Sequence, residues 1–144
     1  MHVRALPTDG TQGWIVVLAS GEEAMAALER FAAAQGIGAA QIQGIGACRR
    51  AILAYWNPAT RAYEEHPVDE QAEVVGLHGN ISRLGDGRPR VHLHAVLSLA
   101  DGSCRGGHLL QLEAHPTLEV FLTTFATSLP RVDDPAVGLA LLRP

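Results

Sequence analysis

The sequence predicts an α/β domain of the α+β kind: a mostly antiparallel β-sheet with one main helix packed on it. Three observations predict it. Only one stretch, between Gly21 and Gly36, repeats apolar residues at the three- and four-residue spacing of a helix face. Most of the remainder alternates, or runs apolar in short segments broken by Gly, Pro, Asn and Asp, as strands joined by hairpins do. The chain has 144 residues, which suits a single domain over 1–144 and excludes a TIM barrel and most two-domain enzymes.

In chain order, Trp14 to Ala19 reads as a buried strand. It runs into Ser20-Gly21-Glu22-Glu23, an S-x-x-E capping box that supplies acceptors for free N–H groups, so a helix is expected to begin near Gly21. Met25, Leu28, Phe31 and Ala32 fall on one helix face, Glu22, Glu29 and Arg30 can face water, and Gly36 suits a left-handed stop. Ala39 to Cys48 looks like a strand with glycines where bulky side chains would obstruct a close approach. Arg49 to Trp56 and Arg61 to Val68 make a hairpin around Asn57-Pro58-Ala59-Thr60. A second hairpin pairs Glu73 to Leu84 with Arg90 to Leu99 across Gly85-Asp86-Gly87, and a third pairs the latter with Ser103 to Leu112 across Asp101-Gly102. Leu118 to Phe125 is read as a strand because Val, Phe and Thr dominate it, although so short a run also fits a helix. The tail from Leu129 to Pro144 is expected to wrap the surface.

Composition removes several functions. The 11 basic residues are all arginine, so no lysine can form a Schiff base or serve a P-loop. A net charge of -4 is the wrong sign for holding duplex DNA by phosphate neutralisation. Cys48 and Cys104 lie far apart without C-x-x-C spacing, which argues against a disulfide framework or a thiolate zinc knuckle; both are expected to be small buried residues. The best apolar run, Trp14 to Ala19, fits neither a signal peptide nor a membrane span, so a soluble, cytoplasmic protein with no membrane partner is expected.

The seven histidines are the unusual feature. Alternation in Arg90-Val91-His92-Leu93-His94-Ala95-Val96-Leu97 puts the apolar residues on one face and both histidines on the other. If Ala100-Asp101-Gly102 forms a three-residue loop, Leu99 opposes Ser103 and His94 opposes His108, so the three imidazoles share a face. A two-residue Asp101-Gly102 loop would turn His108 to the other face unless a bulge at Gly106-Gly107 restored parity. Three neutral imidazoles with an open fourth position are the ligand set of a catalytic-type zinc site. The bland alternative is a polar sheet face with unliganded histidines. A cupin also uses H-x-H, but Ala95 to Ala100 lacks the carboxylate expected after it.

The order of motifs carries a resemblance. Gly21-Glu22-Glu23 opens a helix, Gly44-Ile45-Gly46 follows, then Glu73 to Ser82, Val91-His92-Leu93-His94-Ala95 and Gly106-Gly107-His108-Leu109. From about Gly13 to Leu142 this resembles the PPC (plants and prokaryotes conserved, DUF296) domain. The resemblance implies an antiparallel α/β domain assembled as a homotrimer, with zinc or another divalent metal ion held by His92, His94 and His108. It also implies one of two uses: small-ligand binding or metal-assisted catalysis, or a DNA-associated role exercised through protein partners. A small anionic ligand would suit the open metal position. Glu73 and His78 are the candidate acid or base, and whether the protein is an enzyme is left open. Two departures stand out: Val16-Val17-Leu18 where relatives commonly carry an Arg, and His78 where a small residue is usual. Near the C-terminus, Arg131, Asp134 and Gly138-Leu139 match the family's ending and read most simply as tail anchoring. Gly87-Arg88-Pro89-Arg90 partly matches the minor-groove arm Arg-Gly-Arg-Pro but lacks its leading Arg and falls in a turn, so direct DNA contact is not expected.

Overall fold

Alternating apolar side chains at Val91, Leu93, Ala95 and Leu97 are all buried in a computed structural model that describes residues 1–6 and 12–144. They lie on one face of β6 (Pro89–Ser98), with His92 and His94 on the other, as the period of a strand requires. The remaining elements are β1 (His2–Leu6), β2 (Gln12–Ala19), α1 (Ala24–Ala34), β3 (Ala40–Asn57), β4 (Ala62–Val68), β5 (Ala72–Arg83), β7 (Cys104–Thr124), β8 (Arg131–Asp134) and β9 (Leu139–Leu142). Seven strands form one antiparallel sheet in the order β1-β2-β7-β6-β5-β3-β4, and β7 also pairs with β3. That extra pairing closes β3, β5, β6 and β7 into a ring. The mostly antiparallel, one-helix expectation is met.

The helix packs on this ring. Ala24, Ala27, Leu28, Phe31 and Ala32 form its buried face, and Phe31 meets Trp14 of β2 edge to face, with centroids 5.3 Å apart. Its start corrects the sequence reading. The helix begins at Ala24 rather than near Gly21, and the cap is Glu23, whose carboxylate accepts from the N–H groups of Met25 and Ala26. Ser20 instead shares a hydrogen bond with His115, and the Glu22 carboxylate accepts from Ala19 N–H. Glu23 caps where a serine was expected because a turn, with Gly21 left-handed at φ 86 and Glu22 N–H donating to the Ala19 carbonyl, intervenes between β2 and the helix. The stop is as expected: Gly36, left-handed at φ 66, donates to the Ala33 carbonyl and Ile37 to that of Ala32, a Schellman pair.

Two pairs of expected strands are single long ones. Ala39 to Cys48 and Arg49 to Trp56 merge into β3, which shifts register against β7 around Cys48 instead of ending there. Ser103 to Leu112 and Leu118 to Phe125 merge into β7, whose start pairs with β6, whose end pairs with β2, and whose other edge follows β3. Register shifts bend these strands so that one chain segment serves several neighbours. The tail forms the β8–β9 hairpin, a separate two-stranded sheet, rather than an irregular wrap. Cys48 is buried as expected but Cys104, at the exposed start of β7, is not.

Close approach between β5 and β6 sets the histidine strand. Gly79 faces Leu93 in the ladder, and a Cβ there would collide with the His92 carbonyl oxygen and lie 2.9 Å from both the His92 carbonyl carbon and Leu93 Cδ2. The buried leucines beneath, Leu77, Leu93 and Leu97, are 0% exposed. Each contributes roughly 1.5–3 kcal/mol on burial, which holds this part of the sheet rigid.

Candidate metal centre

The loop after β6 has the three-residue form. Leu99 N–H donates to the Ser103 carbonyl and Gly102 is left-handed at φ 79. His94 therefore opposes His108, as the sequence reading required, and no compensating bulge at Gly106-Gly107 is needed. His92, two residues along β6, shares their face.

One nitrogen from each of His92, His94 and His108 lies within 4.8 Å of the other two. The ring centroids are 5.1–5.3 Å apart in all three pairs. Burial, followed by the charge of Arg131, lowers the His92 pKa from 6.5 to about 4; burial and then His94 do the same for His108. Both rings are thus neutral at pH 7, and each carries one nitrogen lone pair. The Nδ1 atom of His108 is buried and has no hydrogen-bond partner among the described residues. A buried imidazole nitrogen left unpaired is costly, and a metal ion bound at that nitrogen would remove the cost. The donor set fits a divalent ion of the zinc type on this observation.

Two further side chains complete the site. Tyr63, from β4, stacks on His108 with centroids 4.6 Å apart and planes 18° from parallel. Arg131, from β8, donates through Nη2 to His92 Nδ1 at 3.1 Å and to Asn80 Oδ1 at 3.3 Å, through Nε to Ser82 Oγ and through Nη1 to the Ala140 carbonyl. Burial and then nearby Arg90 lower its pKa from the ordinary arginine value. Tyr63 had no sequence signal, since only the β3–β4 pairing brings it beside His108. Arg131 had a signal in the match of the C-terminal segment, but that reads as tail anchoring until the hairpin is seen to fold back onto β5 and β6.

The acid–base candidates part company. His78 stands directly opposite His94 in the β5–β6 ladder, yet it is outside the three-histidine cluster. Glu73 opposes Ser98, four residues along β6 from His94, or roughly 13 Å of strand. A cavity of about 390 Å³ opens beside His92 and His108, walled by Arg90, Arg131 and Tyr63 on its polar side and by Leu84, Leu139 and Leu141 on its apolar side. The partial minor-groove motif is a closed turn: Arg83 donates to the Gly87 carbonyl, Arg88 pairs with Asp86 at 2.7 Å, and Arg90 turns to the cavity.

Fold and cluster together define a class: a partly closed antiparallel sheet that displays three imidazoles from adjacent strands beside a cationic cavity. Residues 7–126 match the family model described as the Plants and Prokaryotes Conserved (PCC) domain, and the chain belongs to that family. Its solved relatives agree over nearly the whole length. A metal-containing protein from Archaeoglobus fulgidus is 32% identical, with 92% of this chain and 93% of that one covered, at TM-score 0.84. A protein from Bacteroides thetaiotaomicron provisionally named as DNA-binding is 29% identical over 98% and 96%, at 0.89. A plant- and prokaryote-conserved protein from Pyrococcus horikoshii is 28% identical over 99% and 95%, at 0.86. No curated protein matches the sequence. Among the described residues, no helix is long and apolar enough to cross a membrane.

Proposed function

We propose that this protein is a metal-dependent small-ligand module, in which His92, His94 and His108 hold zinc or a similar divalent ion and leave one position for water or a small anion. The observation that carries this reading is the buried, unpartnered His108 Nδ1 within the three-histidine cluster. A metal-containing relative 32% identical supports it. When bound, the ion would polarise a carbonyl or acidify a water. The chain's own residues do the rest: Tyr63 stacks on one side of the His108 ring, and the β5–β6–β7 ladder fixes the spacing of the imidazoles. A catalytic version of the site would draw its proton carrier from His78, the neighbour across from His94, rather than from the more distant Glu73.

We assign one such site per subunit of a homotrimer. Exposed apolar side chains on the sheet support self-association, among them Ile45, Val75, Val96 and Phe121 at 42–58% exposure. Metal analysis of untagged protein tests the centre. Near-stoichiometric zinc is expected in the wild type and little in a His92→Ala/His94→Ala variant of equal mass by light scattering; equal zinc in both would sink the reading.

The second reading is a DNA-associated role, favoured by the relative provisionally named as DNA-binding. The net charge of -4 and the internally bonded Gly87-Arg88-Pro89 turn direct that role to a protein partner rather than to phosphate.

A further inference from the structure

The wall of the cavity beside the histidines carries an imbalance of charge. Arg90 and Arg131 both face it, and among the described residues neither pairs with a carboxylate. Arg49, Arg50, Arg88 and Arg143, by contrast, each meet a carboxylate at the surface. Arg131 is half-buried and anchored: four of its five N–H groups go to neutral acceptors, Ser82 Oγ, the Ala140 carbonyl, Asn80 Oδ1 and His92 Nδ1. Its position is set by hydrogen bonds while its charge is left unanswered. Arg90 has no hydrogen-bond partner for its guanidinium among the described residues, so its planar fork is free. An anchored cation and a free fork on the same cavity suit a carboxylate, which takes two parallel N–H bonds from one guanidinium. Leu84, Leu139 and Leu141 also line the cavity and offer such a ligand apolar contact.

We infer that Arg90 and Arg131 form a carboxylate subsite beside the three-histidine cluster, and that its ligand is a small carboxylic acid with a short aliphatic body. The inference deepens the metal-dependent reading by naming the anion, and it rests on that reading only for the proximity of ion and ligand. The Arg131–His92 contact links the two. An arginine N–H can only donate, so the His92 nitrogen it faces is the one bearing a lone pair, with the ring proton on the other nitrogen. A cation taking that lone pair displaces the Arg131 donor, and an imidazole reversed to offer its other nitrogen would turn an N–H towards Arg131. Either way, loading the cluster releases one Arg131 donor at the cavity. Zinc and acid should therefore each strengthen binding of the other.

Ligand-observed NMR on the full chain tests this, with 3-methylbutanoate as the probe and 3-methylbutanamide and inorganic phosphate as comparators, on EDTA-stripped and zinc-loaded samples. The acid is expected to bind both samples and to bind the zinc-loaded one more tightly. The amide and phosphate should be weaker by about tenfold or more, and Arg90→Gln should weaken the acid by a similar factor. Arg90 is exposed, so that variant keeps the fold; Arg131→Lys, checked by thermal melting, tests the anchored partner. Acid binding to neither sample would overturn the subsite, as would amide or phosphate binding as tight as the acid's, or affinity indifferent to Arg90→Gln. Acid binding only to zinc-loaded protein, with both variants unchanged, would assign the anion to the metal alone and also overturn it. Arg-dependent acid binding by a protein that takes up no zinc would support the subsite while refuting the metal reading. Zinc uptake with no acid binding does the reverse.

Discussion

Replacing Gly79 by alanine tests how the fold positions the histidines. Elsewhere in a strand, alanine gains about 0.5–1 kcal/mol over glycine by restricting the unfolded chain. At Gly79 the new Cβ meets backbone, the His92 carbonyl group, as well as Leu93 Cδ2, and no rotamer change relieves a backbone clash. Overpacking of this kind costs about 1–3 kcal/mol, and a rigid backbone obstacle puts the cost at the upper end. The net loss is about 2 kcal/mol, or roughly 6–8 °C in Tm for a domain of this size. Relief of the clash must push β6 from β5 at His92, so zinc content should fall together with Tm. Gly85→Ala is the control, because a Cβ there meets nothing within 4 Å and Gly85 has no positive φ. It should stay within about 0.5 kcal/mol of wild type. Urea unfolding and metal analysis of the three proteins decide the matter; equal midpoints for Gly79→Ala and Gly85→Ala would refute the close-approach reasoning.

Two more outcomes are expected. Glu23→Ala should cost about 1 kcal/mol, since it strips the acceptor from the Met25 and Ala26 N–H groups, whereas Ser20→Ala should cost less than about 0.5 kcal/mol in the same urea titration. In metal-free protein, His92 and His108 have pKa values lowered from 6.5 to about 4, so the folded chain binds fewer protons than the unfolded one between those limits. Stability should thus be level above pH 7 and fall as pH drops through 6.5 towards 4, by about 1 kcal/mol per ring at pH 5 after allowing for partial exposure. The urea midpoint of EDTA-treated wild type should show that slope and a His92→Gln/His108→Gln variant should lack it; a midpoint unchanged between pH 7 and pH 5 in the wild type would count against the burial argument.

How much of this was legible in the sequence depends on how far each feature reaches. The three histidines were readable because their geometry is local: alternation puts His92 and His94 on one face, and a three-residue loop sets His94 against His108. The helix face and the Gly36 stop were local too. Strand ends were not, because the boundary read between Cys48 and Arg49 is in fact a place where β3 shifts register against β7 and continues to Asn57. The serine cap failed because Gly21 takes a left-handed turn between β2 and the helix, which moves the helix start to Ala24 and the cap to Glu23. Tyr63 and the cavity role of Arg131 were out of reach, since each meets its histidine only through pairings across tens of residues. Cys104 was misjudged because free cysteine is commonly buried, and the exposed hairpin it sits in overrides that tendency.

The β8–β9 hairpin has a consequence for how the cavity can change over time. Its strands pair only with each other, outside the seven-stranded ladder, and it lies beyond residues 7–126. It nevertheless supplies Arg131, Leu139 and Leu141 to the wall facing the histidines. Substitutions there can alter what the cavity accepts while leaving every ladder bond that spaces the imidazoles intact. The chain thus separates the part that keeps the rings together from the part that shapes the cavity beside them.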